Sequence, residues 1–358
     1  MRENVHGGDI YNNRIEYDFS VNINPAGVPK NLMKAMKNAI EKVDVYPDIN
    51  CTRLRSKIAD YHGIKREDII CGNGASELLL AVAHGLQPKC IMVTAPSFLG
   101  YGQMAKSVDA NMVYYPLNEE NNFCIDEKIV DCIFDKYSIN SSCEEAEVDM
   151  LILTNPNNPT GALINEGILE GIIRKCNEKG IVVVIDESFI ELCTEACSFI
   201  SRTGEYHNLI VLRAFTKSFA IPGVRLGYLV CSNISLLQQI EKHLPEWNVS
   251  VIAQSAGLAA LDEKQYLKHS RKLIKKEREY LTKELERMHF NVVKSDASFI
   301  LFYNHTGRDL YKRLLDNGIL VRNCDNYKGL KKGYLRIAVR SHEDNKVLVS
   351  TLENIMGE

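Results

Sequence analysis

Six short, mostly apolar runs rich in β-branched residues recur along this chain with amphipathic segments between them, and this alternation restricts its fold more than any other feature. The runs are Asp68-Ile69-Ile70, Cys90-Ile91-Met92-Val93, Met150-Leu151-Ile152-Leu153, Ile181-Val182-Val183-Val184-Ile185, Leu209-Ile210-Val211-Leu212 and Tyr228-Leu229-Val230-Cys231. A strand that is apolar on both faces must be covered on both faces. The runs therefore predict an α/β architecture with a mostly parallel sheet between helices. Residues 76–86 and 167–179 read as the amphipathic crossovers that parallel neighbours require.

After Leu244-Pro245 the pattern changes. A long charged helix is predicted over about 262–288, followed by the apolar runs Phe290-Asn291-Val292-Val293, Ser298-Phe299-Ile300-Leu301-Phe302 and Tyr334-Leu335-Arg336-Ile337-Ala338-Val339, which suit a smaller α+β lobe. The expected division is an N-terminal arm and small-lobe segment at 1–40, a large domain at 41–245 and a small C-terminal domain at 246–358. A chain of 358 residues, 45% hydrophobic, can fill two unequal lobes. Residues 138–147 are polar and read as a surface loop, and no internal repeat is visible.

Lysine and arginine number 43 against 46 acidic residues, with no long basic run, which argues against nucleic acid as a partner. The start, Met1-Arg2-Glu3-Asn4-Val5-His6-Gly7-Gly8, lacks the apolar stretch of a signal peptide, and no window approaches the ~20 apolar residues of a membrane span. The expectation is a cytoplasmic protein with no membrane partner. The 11 cysteines are scattered without Cys-x-x-Cys pairs and read as buried thiols, so no metal site is expected.

Three segments at predicted strand ends carry chemistry. Asn155-Pro156-Asn157-Asn158-Pro159-Thr160-Gly161 follows one buried strand, a position where open α/β sheets place ligands, although alone it is equally a proline-rich turn. Asp186-Glu187-Ser188-Phe189 closes a second, and a buried aspartate needs a partner. Arg213-Ala214-Phe215-Thr216-Lys217-Ser218-Phe219 closes a third, with Arg225 eight residues beyond the lysine. A lone lysine there would be an exposed cap. Combined with an aspartate, an asparagine turn and an arginine, it marks a site.

In content and order these segments resemble the cofactor site of the fold-type-I pyridoxal-phosphate enzymes, the class I/II aminotransferase superfamily, and the resemblance covers essentially the whole chain. It implies that Lys217 holds pyridoxal 5'-phosphate as a Schiff base, that Asp186 pairs with the protonated pyridine nitrogen and that Asn158 donates to the phenolic oxygen. Cys71-Gly72-Asn73-Gly74-Ala75-Ser76 leads into a helical pattern, so Gly74, Ala75 and Ser76 can cradle the phosphate at a helix N-terminus, with Thr216 and Arg225 completing the cup. Phe98 stands where the family stacks an aromatic on the ring. Tyr46, in Tyr46-Pro47-Asp48, resembles the tyrosine that reaches the phosphate of a partner subunit, which implies a homodimer with shared active sites; it can also be read as a surface turn tyrosine. Two positions depart from the aminotransferase pattern. Phe189 stands where many members have tyrosine, and Ala214 lacks a frequent hydroxyl.

His6-Gly7-Gly8-Asp9-Ile10-Tyr11, Phe19-Ser20-Val21-Asn22-Ile23-Asn24-Pro25, Ile221-Pro222-Gly223-Val224-Arg225-Leu226-Gly227-Tyr228, Trp247-Asn248-Val249 and Arg322-Asn323-Cys324-Asp325-Asn326-Tyr327 are similar to the L-threonine-O-3-phosphate decarboxylase family, in which Phe189 is not unusual. That resemblance implies conversion of L-threonine O-3-phosphate to (R)-1-aminopropan-2-yl phosphate for cobalamin biosynthesis. His6, Gly7, Asn24, Asn157, Arg322 and Arg336 would then contact the substrate, with Arg340 a weaker candidate. Histidinol-phosphate aminotransferase is the alternative, serine-phosphate decarboxylase a smaller variation. A non-catalytic cofactor-bearing regulator is disfavoured because the chain starts almost directly at the arm, with no DNA-binding domain in front.

Overall fold

The computed structural model describes residues 7–134 and 147–357. His6 and residues 138–146 of the expected loop lie outside the described residues. Seven strands form the main sheet: β1 Ile69–Gly72, β2 Cys90–Ala95, β3 Asn111–Pro116, β4 Met150–Thr154, β5 Val182–Asp186, β6 Leu209–Ala214 and β7 Gly227–Val230. Their spatial order is β1-β7-β6-β5-β4-β2-β3, and β7 alone runs against the rest. The mostly parallel sheet is as the apolar runs require. The strand that the apolar runs do not mark, β3, is one of the sheet's two edges, the other being the fully buried β1. Only Val113 of β3 is buried, with Asn111 and Pro116 exposed, so it does not read as a strand covered on both faces.

Alternate residues of the central strands face opposite layers. Ile91, Val93, Ile152, Val184, Ile210 and Leu212 pack against one helical layer, and Met92, Leu151, Leu153, Val183, Ile185 and Val211 against the other. Register then sets the site. Thr154 lies opposite Asp186, and Asp186 opposite Leu212, so the carboxyl ends of β4, β5 and β6 finish side by side. The helical turn Phe215–Ser218 follows β6 directly and carries Lys217 to the same edge.

A second sheet is antiparallel throughout, in the order Arg322–Asn323, Tyr334–Ala338, Phe299–Tyr303, Asn291–Val292. Helix Lys264–Arg287 covers it, burying Leu281 and Leu285 beside Ile300, Phe302 and Ile337. That helix begins at Lys264 because a separate helix, Val251–Ala260, precedes it. The N-terminal segment lies beside this sheet in a separate two-stranded parallel pair. Tyr17–Asp18 pairs with Ile319–Leu320, and Phe19 bonds through its N–H to Leu320 and through its carbonyl to Ala338. Among the described residues no helix is long and apolar enough to cross a membrane.

Candidate active site

A cavity of about 250 Å³ opens where the carboxyl edge of β4, β5 and β6 meets the antiparallel sheet. Asp186 lines it, 6% exposed, and its carboxylate is held on both oxygens. Oδ1 accepts from the Ser188 N–H at 3.0 Å and the Ser188 hydroxyl at 2.5 Å, and Oδ2 accepts from the Tyr101 hydroxyl at 2.9 Å. Burial pushes the Asp186 carboxyl up, while these donors and the Lys217 charge oppose it. Burial also pushes the Lys217 amine down to about 8, helped by the positive charges of Arg336 and Arg225 and opposed by Asp186. An amine near 8 is partly neutral at physiological pH, the form needed for nucleophilic attack on an aldehyde.

At one end of the cavity helix Ala75–Leu86 starts at Gly74, whose φ of 83° suits glycine, and no side chain caps its first turn. Arg225 stands against this terminus. A Cβ on Gly74 would come within 2.5 Å of its Nη2, so the absence of a side chain at 74 is what lets the guanidinium approach. Ala75, Ser76, Thr216 and Arg225 thus face one corner with backbone N–H groups, a hydroxyl and a cation, a donor set for a phosphate. Phe98 forms a wall, braced edge-on by Tyr101 with centroids 5.5 Å apart.

At the other end stand Arg322 and Arg336, 8% and 6% exposed. Arg336 donates through Nη1 to Asn158 Oδ1 at 2.5 Å and through Nη2 to the Ser20 carbonyl at 2.8 Å. The first bond turns the Asn158 amide so that Nδ2 remains its donor. Arg322 is fixed by the Asn323 carbonyl and by Asn326 Oδ1, with its guanidinium 5.2 Å from the Tyr327 ring centroid. Gly7 also lines the cavity, packed so tightly on Ser20 that an added Cβ would fall 2.5 Å from its carbonyl oxygen.

Gly74 is not itself among the lining residues, and four further expected substrate or cofactor contacts do not reach this cavity. Asn24 is buried elsewhere, its amide donating to the Ser218 carbonyl and Ser270 Oγ while its oxygen accepts from the Ala26 N–H, so it is a structural tie. Asn157 shapes its own turn, donating to the Pro96 carbonyl and Thr160 Oγ1, because the next residue, Asn158, is the one aimed inward. Arg340 is held by Asp344 and the Asp18 carbonyl. Tyr46 is 76% exposed and packs on Trp247. Tyr101, Ser188, Ser20 and Asn22 are further residues of the site. The tyrosine three positions after Phe98 and the serine two after Asp186 are the available signals in the sequence.

The model of the family described as "Aminotransferase class I and II" matches residues 14–352. The chain belongs to this family. It is 30% identical over 341 residues to the threonine-phosphate decarboxylase of Salmonella typhimurium, covering 95% of this chain and 91% of the relative. It is 34% identical over 369 residues to the adenosylcobalamin biosynthesis bifunctional protein CobDQ of Leptospira interrogans, where 98% of this chain spans only 41% of the relative. The crystal structure of the histidinol-phosphate aminotransferase from Clostridium acetobutylicum superposes with a TM-score of 0.86 at 33% identity, covering 95% of this chain and 99% of the other.

Members of the family are pyridoxal-phosphate enzymes, and the groups present suit that cofactor. The uncapped helix terminus with Arg225 matches a phosphate. Asp186 Oδ2 retains a lone pair beyond the one Tyr101 uses, as a ring N–H requires. Asn22 Oδ1, which borders the cavity, and Arg336 Nε are buried without a protein partner, and such groups in a native fold call for a polar ligand.

Proposed function

We propose that this chain decarboxylates a phosphorylated amino acid, L-threonine O-3-phosphate, to (R)-1-aminopropan-2-yl phosphate for the cobalamin side chain. The observation that carries this reading is the pair Arg322 and Arg336 in one cavity with Arg225. Arg225 and the helix terminus suit the cofactor phosphate, which leaves two guanidinium groups for a substrate bearing one carboxylate and one phosphate. The names of two relatives point the same way.

When bound, pyridoxal phosphate supplies an electron sink for the pair left on Cα by a departing group. Lys217 would hold the cofactor covalently, and Thr216, Arg225 and the Ala75 and Ser76 N–H groups would hold its phosphate. Phe98 would cover the ring, Asn158 Nδ2 would donate to the phenolic oxygen and Asp186 Oδ2 would accept from the ring nitrogen. Arg322 and Arg336 orient the substrate's anions so that the bond from Cα to the carboxylate breaks, carbon dioxide leaves and Cα takes a proton. Lys217 Nζ, with its lowered basicity, is the group placed to hold that proton. The same proposal includes the lobe division at 1–40, 41–245 and 246–358 and a homodimer. For the latter, Val43, Val45, Tyr46, Ile49 and Trp247 form an exposed apolar group suited to a second copy.

Histidinol-phosphate aminotransferase is the second reading, favoured by the 33% identical solved relative. In that case Cα would lose a proton and the amino group would pass to 2-oxoglutarate. Serine phosphate, one methyl smaller, is a variation of the first reading. Incubating the protein with threonine phosphate, and separately with histidinol phosphate plus 2-oxoglutarate, tests the choice. Carbon dioxide from the first and no glutamate from the second is expected, and the converse overturns the proposal.

A further inference from the structure

Asp186 is reached by a chain of hydroxyls that none of the assigned roles uses. Tyr101 is fully buried, and its oxygen lies 2.9 Å from Asp186 Oδ2 and 2.7 Å from Thr154 Oγ1. A phenol has one proton, and an ionised carboxylate can only accept, so Tyr101 donates to Asp186 and accepts from Thr154. The order is Thr154 to Tyr101 to Asp186, each bond polarising the next. We propose that Tyr101, backed by Thr154, is a positioning residue that keeps Asp186 ionised and leaves one lone pair of Oδ2 free for the ring nitrogen of the cofactor. This rests on the reading of Asp186 as that nitrogen's partner.

An ionised carboxylate offers two lone pairs on each oxygen. The two Ser188 donors occupy Oδ1. Tyr101 takes one site on Oδ2, so a single acceptor position remains, and its direction is fixed by the register of β4 and β5 that brings Thr154 opposite Asp186. The other charged groups that bear on Asp186 are Lys217 on the turn after β6 and the neighbouring Glu187, itself tied to Ser198 and the Phe199 N–H. Donors to an ionised carboxylate lower its pKa, so removing one raises it against a burial that already pushes it up.

The test uses the full-length protein stripped of cofactor and measures the dissociation constant of pyridoxamine 5'-phosphate between pH 5 and 8. This probe carries the same ring and phosphate but cannot condense with Lys217. Probe titration is common to all variants, so differences report the protein. In Tyr101→Phe, which keeps the ring packed on Phe98, the acid limb should move up by about one pH unit, the size expected when a charged acceptor loses one donor. Thr154→Val should move it in the same direction by less. An unchanged limb in Tyr101→Phe, with Asp186→Asn abolishing the limb, overturns the role of Tyr101 alone. An Asp186→Asn protein that binds the probe with the wild-type profile overturns the reading of Asp186 itself.

Discussion

The two ends of the cavity are built in different ways. At the cofactor end, backbone register does most of the placing: parallel strands buried on both faces finish together and set Thr154, Asp186 and Lys217 along one edge. At the substrate end, individual side-chain bonds tie together segments far apart in sequence. Arg336 reaches Asn158 across 178 positions and Ser20 across 316; the preceding Phe19 is held in turn by backbone bonds to Leu320 and Ala338. A site placed by register tolerates the loss of one side chain without rearrangement. A site placed by side-chain bonds does not, so substitutions at the two ends should fail differently.

The largest effect belongs to the group where both ends meet. Lys217→Ala should lower turnover by about four decades or more, since on the proposed mechanism it removes both the covalent anchor and the proton carrier, and borohydride treatment should leave no cofactor attached to the chain. A trapped adduct on another lysine would break the site assignment. Next, Arg336→Ala should cost about 3–5 kcal/mol in kcat/KM, two to four decades, while cofactor content stays near that of the parent. Arg225→Ala should show the reverse division. Its cofactor dissociation constant should rise about 10- to 100-fold through loss of a charge-assisted bond, with KM at saturating cofactor little changed. If both variants lost cofactor and substrate affinity alike, the distinction between the ends would collapse.

This difference also explains what could be read in the sequence. Lys217, Asp186 and Asn158 lie in local motifs at the ends of apolar runs, where strand period and strand end already say where a side chain goes. Asn24 and Asn157 lie in motifs too, but Asn24 is two positions from Asn22 and Asn157 is next to Asn158, the residues that face the cavity. Patterns of residue type do not resolve orientation within an irregular turn. Tyr101 is marked only by its spacing from Phe98, and nothing local marks Ser20. Their roles arise from contacts with Asp186 and Arg336, which only the folded arrangement brings near.

Smaller effects sharpen the comparison. Lys217 near 8 implies that about a tenth of the amine is neutral at pH 7, so the rate of condensation with added pyridoxal phosphate should climb as pH rises through 8. Because Arg336 is among the charges that depress this amine, Arg336→Ala should move the midpoint upward, linking the two ends electrostatically. A midpoint that stays put would show that the ends act independently. The least sensitive position should be Arg340. Arg340→Ala removes a half-exposed pair with Asp344 and a bond to the Asp18 carbonyl, so thermal denaturation should show a loss of about 1 kcal/mol or less and KM should not change.

Which bond at Cα breaks is the most direct test of how the substrate end is aligned on the cofactor end. The reaction of threonine phosphate run in D2O and followed by NMR reads this out. With Arg322 and Arg336 orienting the carboxylate for departure, the product should be aminopropanol phosphate carrying a single deuterium at the former Cα, formed in step with carbon dioxide. Recovery of threonine phosphate deuterated at Cα, with carbon dioxide at background, would contradict it.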